Sequence, residues 1–162
     1  MCIRDRAAVT FTSQNYGAGQ KDRCKKIFRL SMLFSILFCG TLSCIFVLGR
    51  DFFLHLYTTD EAVYRFAVQR ILIVTTLEFL TSVYEISAGA MRGLGHSLLP
   101  AVITCVGSCV LRLIWIATVC RIYHTFWVLL IIYPISWVIT GVSMMIAYHF
   151  IKKRVFRKTV AV

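Results

Sequence analysis

Four stretches of this chain, Leu30 to Leu48, Ile71 to Met91, Ser97 to Cys120 and Thr125 to Tyr148, stay apolar long enough to cross a lipid bilayer. A helix rises about 1.5 Å per residue, so about twenty residues span a hydrocarbon core of roughly 30 Å. Lipid cannot hydrogen-bond an open strand edge, so stretches like these cross as helices. The predicted fold class is all-α: a polytopic transmembrane helix bundle with about four complete transmembrane helices plus the end of a fifth. Composition agrees, with 59% hydrophobic and 15% charged residues in 162, against about 45–50% and about 25% in soluble domains.

A formal charge of +11 raises the question of nucleic acid, but the basic residues sit at span ends rather than over one face. If the chain crosses at each stretch, eleven Lys and Arg, within Lys21 to Arg29, at Arg92 and within Lys152 to Lys158, fall on one side. Only Arg50, Arg65, Arg70 and Arg121 fall on the other. The positive-inside rule puts the richer side and the C-terminus in the cytoplasm. The expected partner of this charge is membrane lipid, through anionic headgroups, and no nucleic acid.

The seven cysteines form no CxxC pair and five lie in or beside apolar stretches. They read as small apolar packing residues, with no metal site or disulfide framework. No phosphate loop, catalytic triad, zinc spacing or dinucleotide fingerprint occurs, so the chain is read as no enzyme and as needing no cofactor. No signal peptide precedes the first span.

Residues 1–6, Met-Cys-Ile-Arg-Asp-Arg, resemble translated sequencing-adapter DNA and are set aside as a non-native start; the native chain is expected to continue upstream. Ala7 to Ala18 reads as the tail of a helix too short to span, ending in Gly17-Ala18-Gly19. Thr58 and Glu61 stand in capping-box spacing, which predicts a helix start near Thr59 or Asp60. Arg92-Gly93-Leu94-Gly95-His96 predicts a tight cytoplasmic turn. Pro134 falls inside the last span and is expected to kink it. Residues 159–162 form a short cytoplasmic tail.

Three charges lie inside predicted spans: Glu78, Glu85 and Arg112. Charge is costly in the bilayer and marks a cavity or functional position. Thr75, Glu78, Ser82, Glu85 and Gly89 recur at spacings of three and four, predicting one polar stripe on one helix face. If the turn centres near Gly95, antiparallel helices place residue numbers summing to about 190 at one level. Arg112 is then level with Glu78, and a structural ion pair between them is expected provided the two helices are packed neighbours. Glu85 lies about 10 Å from Arg112 along the axis by the same rise. It is the candidate for reversible protonation or cation binding. Gln14 and Asn15 are candidate cavity-lining groups, as are Thr81 and Ser82. His96 and His149 read as solvated boundary residues, and Trp115, Trp127 and Trp137 as interfacial anchors or packing.

Phe11-Thr-Ser-Gln-Asn-Tyr-Gly-Ala-Gly-Gln-Lys-Asp-Arg23, followed by a basic stretch and a new helix, resembles the Gln-x-x-Gly-Ala-Gly element of the multidrug and toxic compound extrusion (MATE) family. Gly89-Ala-Met-Arg-Gly-Leu-Gly-His-Ser-Leu-Leu-Pro100 is similar to that family's Ala-Leu-Arg-Gly-Leu-Gly-x-Ser turn, and Tyr133-Pro-Ile-Ser-Trp137 resembles the opening of its final helix. The resemblance implies that residues 7–158 are the C-terminal lobe of a twelve-helix fold, from the end of helix eight to helix twelve, whose partner is the missing N-terminal lobe of the same chain. It also implies a secondary-active antiporter of the bacterial inner membrane, exporting small-molecule drugs or organic cations in exchange for sodium ions or protons; a monomer is the plainest expectation for the full chain. In the sodium-coupled branch an acid stands about where this chain has Thr81, so the coupling ion stays open. The alternatives are a lipid-linked saccharide flippase of the same superfamily, for which only Arg112 supplies a basic cavity group, and a non-transporting membrane fragment or accessory subunit.

Overall fold

The computed structural model describes residues 3–123 and 125–158; the tail 159–162 and the first two residues of the set-aside start lie outside the described residues. The described residues form six helices in chain order: α1 Ile3–Gly17, α2 Lys21–Leu48, α3 Arg50–Tyr57, α4 Glu61–Gly93, α5 Leu98–Ile122 and α6 Phe126–Lys158. The described residues contain no strand, and α2, α4, α5 and α6 are each long and apolar enough to cross a membrane. Each expected span is present, extended at one or both ends by polar turns that the apolar runs alone did not include. Asp60 rather than Thr58 caps α4, its carboxylate accepting from the Ala62 N–H at 2.8 Å. Thr58 supports the same start from one step back, its hydroxyl accepting the Asp60 N–H.

Both glycine turns fold alike. Gly19 and Gly95 take positive φ, 71° and 86°. In each turn two N–H groups return to the preceding helix: Gly19 to Tyr16 and Gln20 to Asn15, then Gly95 to Arg92 and His96 to Met91. This is the Schellman arrangement, and a residue with a Cβ resists its left-handed step. Each turn ends one descending helix and launches the next, so α1 and α4 finish at the same end of the bundle. Lys21 Nζ donates to the Phe156 carbonyl at 2.9 Å, which brings the start of α2 and the end of α6 to one end, as the charge count expects.

The C-terminal half of α4, from Thr81 to Gly93, packs against α1, α2 and α6 together. Its close approach to α1 depends on Gly89 and Gly93, spaced four apart. A Cβ on Gly89 would lie 3.3 Å from that of Ala8, and one on Gly93 would lie 2.9 Å from the Val9 carbonyl. Small residues at this spacing let helix backbones approach in lipid, where no hydrophobic force drives them together. The core joins Ala88, Ala90, Met91 and Leu94 to Met144, Tyr148, Ile151 and Val155 of α6, and Phe28 of α2 stacks on Tyr148 at 4.2 Å. Of the four spans, α6 is the inner strut, 39% buried over its apolar window against 6–11% for the rest.

Candidate functional site

The polar stripe predicted for α4 does not run straight. The helix unwinds into a π turn over Ile71–Thr75 and tightens into a 3-10 turn over Glu78–Leu80. Changing the residues per turn changes where each side chain points. The stripe therefore rotates along its length: Glu78 is exposed, Glu85 half-buried, and Ser82 and Gly89 buried. Thr81 lies just below the tightened turn, where its hydroxyl donates to the Glu78 carbonyl at 2.7 Å.

Arg112 has a different partner from the one expected. The main contact between α4 and α5 is at their connecting turn, where Thr81–Gly93 meets Leu98–Thr104; above it both helices pack on α6. The condition for a Glu78–Arg112 ion pair, that the two helices be neighbours at that level, is not met. The ion pairs among the described residues join Lys25 to Asp22, Arg50 to Asp51 and Arg92 to Asp5. Arg112 instead turns onto α6. Its Nε and Nη2 donate to Ser136 Oγ at 3.2 and 3.1 Å, and its guanidinium carbon lies 4.5 Å from the centre of the Tyr133 ring. Ser136, fully buried, donates through its own hydroxyl to the Tyr133 carbonyl at 2.8 Å.

Pro134 lies between these two residues. It has no N–H for the carbonyl four residues back, which loosens α6 at this level. Nearer the start of α6, Trp115 Nε1 donates to the Val128 carbonyl at 3.0 Å. α5 also carries a π turn, Cys105–Val110, and there Gly107 meets Thr140 of α6 so closely that a Cβ would overlap the threonine hydroxyl.

Tyr84, half-buried on α4, is within electrostatic reach of Glu85, Arg112 and Glu78. Charge is costly in the hydrocarbon core, so each of these side chains looks onto water or protein rather than lipid. Irregular helical turns at membrane depth are likewise tolerated where they border a cavity. Chemically, the arrangement offers a carboxylate for a proton or cation, a guanidinium held by neutral partners, and aromatic surfaces in Tyr84 and Tyr133.

The remaining sequence candidates are placed as follows. Gln14 is exposed near the end of α1, and the Asn15 amide donates to the Phe11 carbonyl of its own helix at 2.8 Å. Tyr84, Tyr133 and Ser136 were not among the expected site residues. The signal was present for the last two, since a proline inside a span flanked by Tyr and Ser marks a point where backbone and side chain trade hydrogen bonds. The π turns left no such mark in the spacing of residues.

The chain matches the MatE family model over residues 5–118, which includes both glycine turns, the α4 stripe and Arg112. It is 26% identical over 98 residues to a probable multidrug resistance protein, NorM, of Thermotoga maritima; the alignment covers 60% of this chain and 21% of that protein. The chain thus spans about a fifth of the length of the curated relative it matches. It is a multi-pass membrane protein by its helices, and by its family match it belongs to MatE, the family of MATE-type transporters.

Proposed function

We propose that this chain is the C-terminal lobe of a MATE-type antiporter, which exports small organic compounds, many of them cationic, in exchange for sodium ions or protons. The observation that carries the reading is that Glu78, Glu85 and Arg112 all lie within the spans of a chain of this family. A cavity at a lobe interface suits alternating access, in which two related lobes rock about a central binding region. Glu85 is the coupling carboxylate in this reading. It lies below the 3-10 turn, near the middle of the packed half of α4. The basic end of the bundle faces the cytoplasm of a bacterial cell and the N-terminal lobe of the parent chain closes the other side of the cavity.

The test uses the complete parent protein in an efflux-deficient bacterial strain loaded with ethidium. The wild type is expected to lower the dye content, and Glu85→Gln, at matched membrane abundance, to abolish the dependence of efflux on the sodium or proton gradient. Efflux by the variant with unchanged gradient dependence would remove Glu85 from the coupling step, and no efflux by the wild type would remove this drug-export reading.

A further inference from the structure

We infer that the seam between α2 and α6 at the basic end of the bundle is a binding site for a lipid whose headgroup carries two phosphates. The inference does not depend on what the transporter carries. Residues 21–29 and 148–157 lie far apart in the sequence and meet at this seam. Phe28 stacks on Tyr148 at 4.2 Å, and Lys21 Nζ donates to the Phe156 carbonyl at 2.9 Å. Together the two segments hold nine Lys and Arg and one acid, Asp22. Asp22 is already paired with Lys25 at 2.7 Å. Lys152, half-buried, rests over the neutral Tyr148 ring, its Nζ 5.8 Å from the ring centre. No ion pair among the described residues includes Arg29, Lys152 or Lys153.

Helix spacing puts Arg29 and Lys153 on one flank of the seam. Successive residues lie about 100° apart round a helix. Cys24, Ile151 and Val155 are buried in the bundle, so the steps from Phe28 to Arg29 and from Lys152 to Lys153 both lead away from it, and both residues are exposed. With Phe28 level with Tyr148 and Lys21 with Phe156, the helical rise sets these two charges about 8 Å apart along the axis. Further into the membrane the same two flanks continue in Leu33 and Ile146, exposed at one level, which offer an apolar surface to acyl chains. A single phosphodiester carries one charge and leaves the rest of the cluster uncompensated. A headgroup with two phosphates meets the α2 and α6 sides together, and its second contact is intramolecular, which is the advantage of a divalent ligand.

The test is native mass spectrometry of the full-length parent protein, titrated in detergent with cardiolipin, which has two phosphates, with phosphatidylglycerol, which has one, and with zwitterionic phosphatidylcholine. The wild type is expected to bind cardiolipin about tenfold more tightly than phosphatidylglycerol, and phosphatidylcholine most weakly. Arg29→Gln on α2, and Lys152→Gln with Lys153→Gln on α6, are each expected to bring cardiolipin down to the phosphatidylglycerol level, and the three together no further. Arg23→Gln with Arg154→Gln removes as much charge as the α6 pair, but from positions two residues beyond Lys21 and Lys152, on the far side of each helix. That control is expected to keep cardiolipin affinity within about twofold of the wild type. Equal weakening by control and seam variants would reduce the effect to net charge, and losses that simply add in the triple variant would mean two unconnected sites. Either result overturns the inference, as does unchanged cardiolipin binding in the seam variants or a wild type that binds cardiolipin no better than phosphatidylglycerol. Inorganic pyrophosphate at the lipid's concentration is expected to leave cardiolipin bound; displacement by it would overturn the lipid assignment in favour of a free diphosphate.

Discussion

Gly93 shows how much a single position can decide. A Cβ there would lie 2.7 Å from the Thr12 Cβ and 2.9 Å from the Val9 carbonyl of α1. The carbonyl belongs to a helix backbone and cannot rotate away. Gly93→Ala is therefore expected to destabilise the bundle by about 1–3 kcal/mol, the usual cost of overpacking. Gly40, in the middle of α2, has open space around it, and Gly40→Ala should stabilise by up to about 1 kcal/mol through helix propensity. Equilibrium unfolding in mixed detergent measures both; equal effects would mean that the α1–α4 crossing is looser than described. The sequence placed Gly93 in a turn but could not show what it touches, because α1 and α4 are joined only by the fold. Arg112 has the same history. Its place inside a span was legible from residue numbers, whereas its partner depended on α6 lying where α5 needed a neighbour.

At the scale of elements, α3 is the piece that periodicity left as an approach to the membrane. It is a short helix after Gly49 with exposed Phe52 and Leu56, tied to α4 by one polar cluster. The Tyr64 hydroxyl donates to Asp51 Oδ1 at 2.6 Å, and Arg50 Nε lies 3.3 Å from the same oxygen. The Tyr64 hydrogen bond, aided by Arg50, holds the Asp51 carboxyl below its ordinary range. A lowered carboxyl pKa contributes stability that is present above the ordinary value and lost as pH falls through the lowered one. Tyr64→Phe should thus lower the melting temperature at neutral pH, and the difference from wild type should vanish in strong acid. A difference that persists in acid would assign the effect to the Tyr64 hydroxyl's hydrogen bond with a neutral Asp51 carboxyl rather than to the carboxylate charge. The start of α4 was legible because caps are local chemistry, and the helix begins within a residue or two of the expected place. The π and 3-10 turns were not, since nothing in the spacing of the residues marks a change of winding. The straight polar stripe assumed 3.6 residues per turn throughout, and the winding of α4 bends it.

For the whole molecule, the family was legible in two glycine turns, because the left-handed step they need restricts residue choice in a way that few other segments do. The number of spans was legible too, since bilayer thickness sets helix length. Which span lies inside was not, because α2, α4, α5 and α6 are similarly apolar and only packing makes α6 the strut. The sidedness proposed from charge predicts a labelling pattern. In a cysteine-free full-length background, Thr59→Cys should react with a membrane-impermeant maleimide on intact cells, and Gln20→Cys only after permeabilisation. The reverse pattern would invert the topology.

The central claim is that this lobe belongs to an antiporter whose cargo is moved by an ion gradient acting through Glu85. The most direct measurement reconstitutes the full-length protein in liposomes and records ethidium accumulation while a proton or a sodium gradient is imposed in turn. The account predicts accumulation driven by one of the two gradients in the wild type and lost in Glu85→Gln, with Gly40→Ala unaffected. Dye movement that ignores both gradients, or that follows the same gradient with Glu85 replaced, would contradict it.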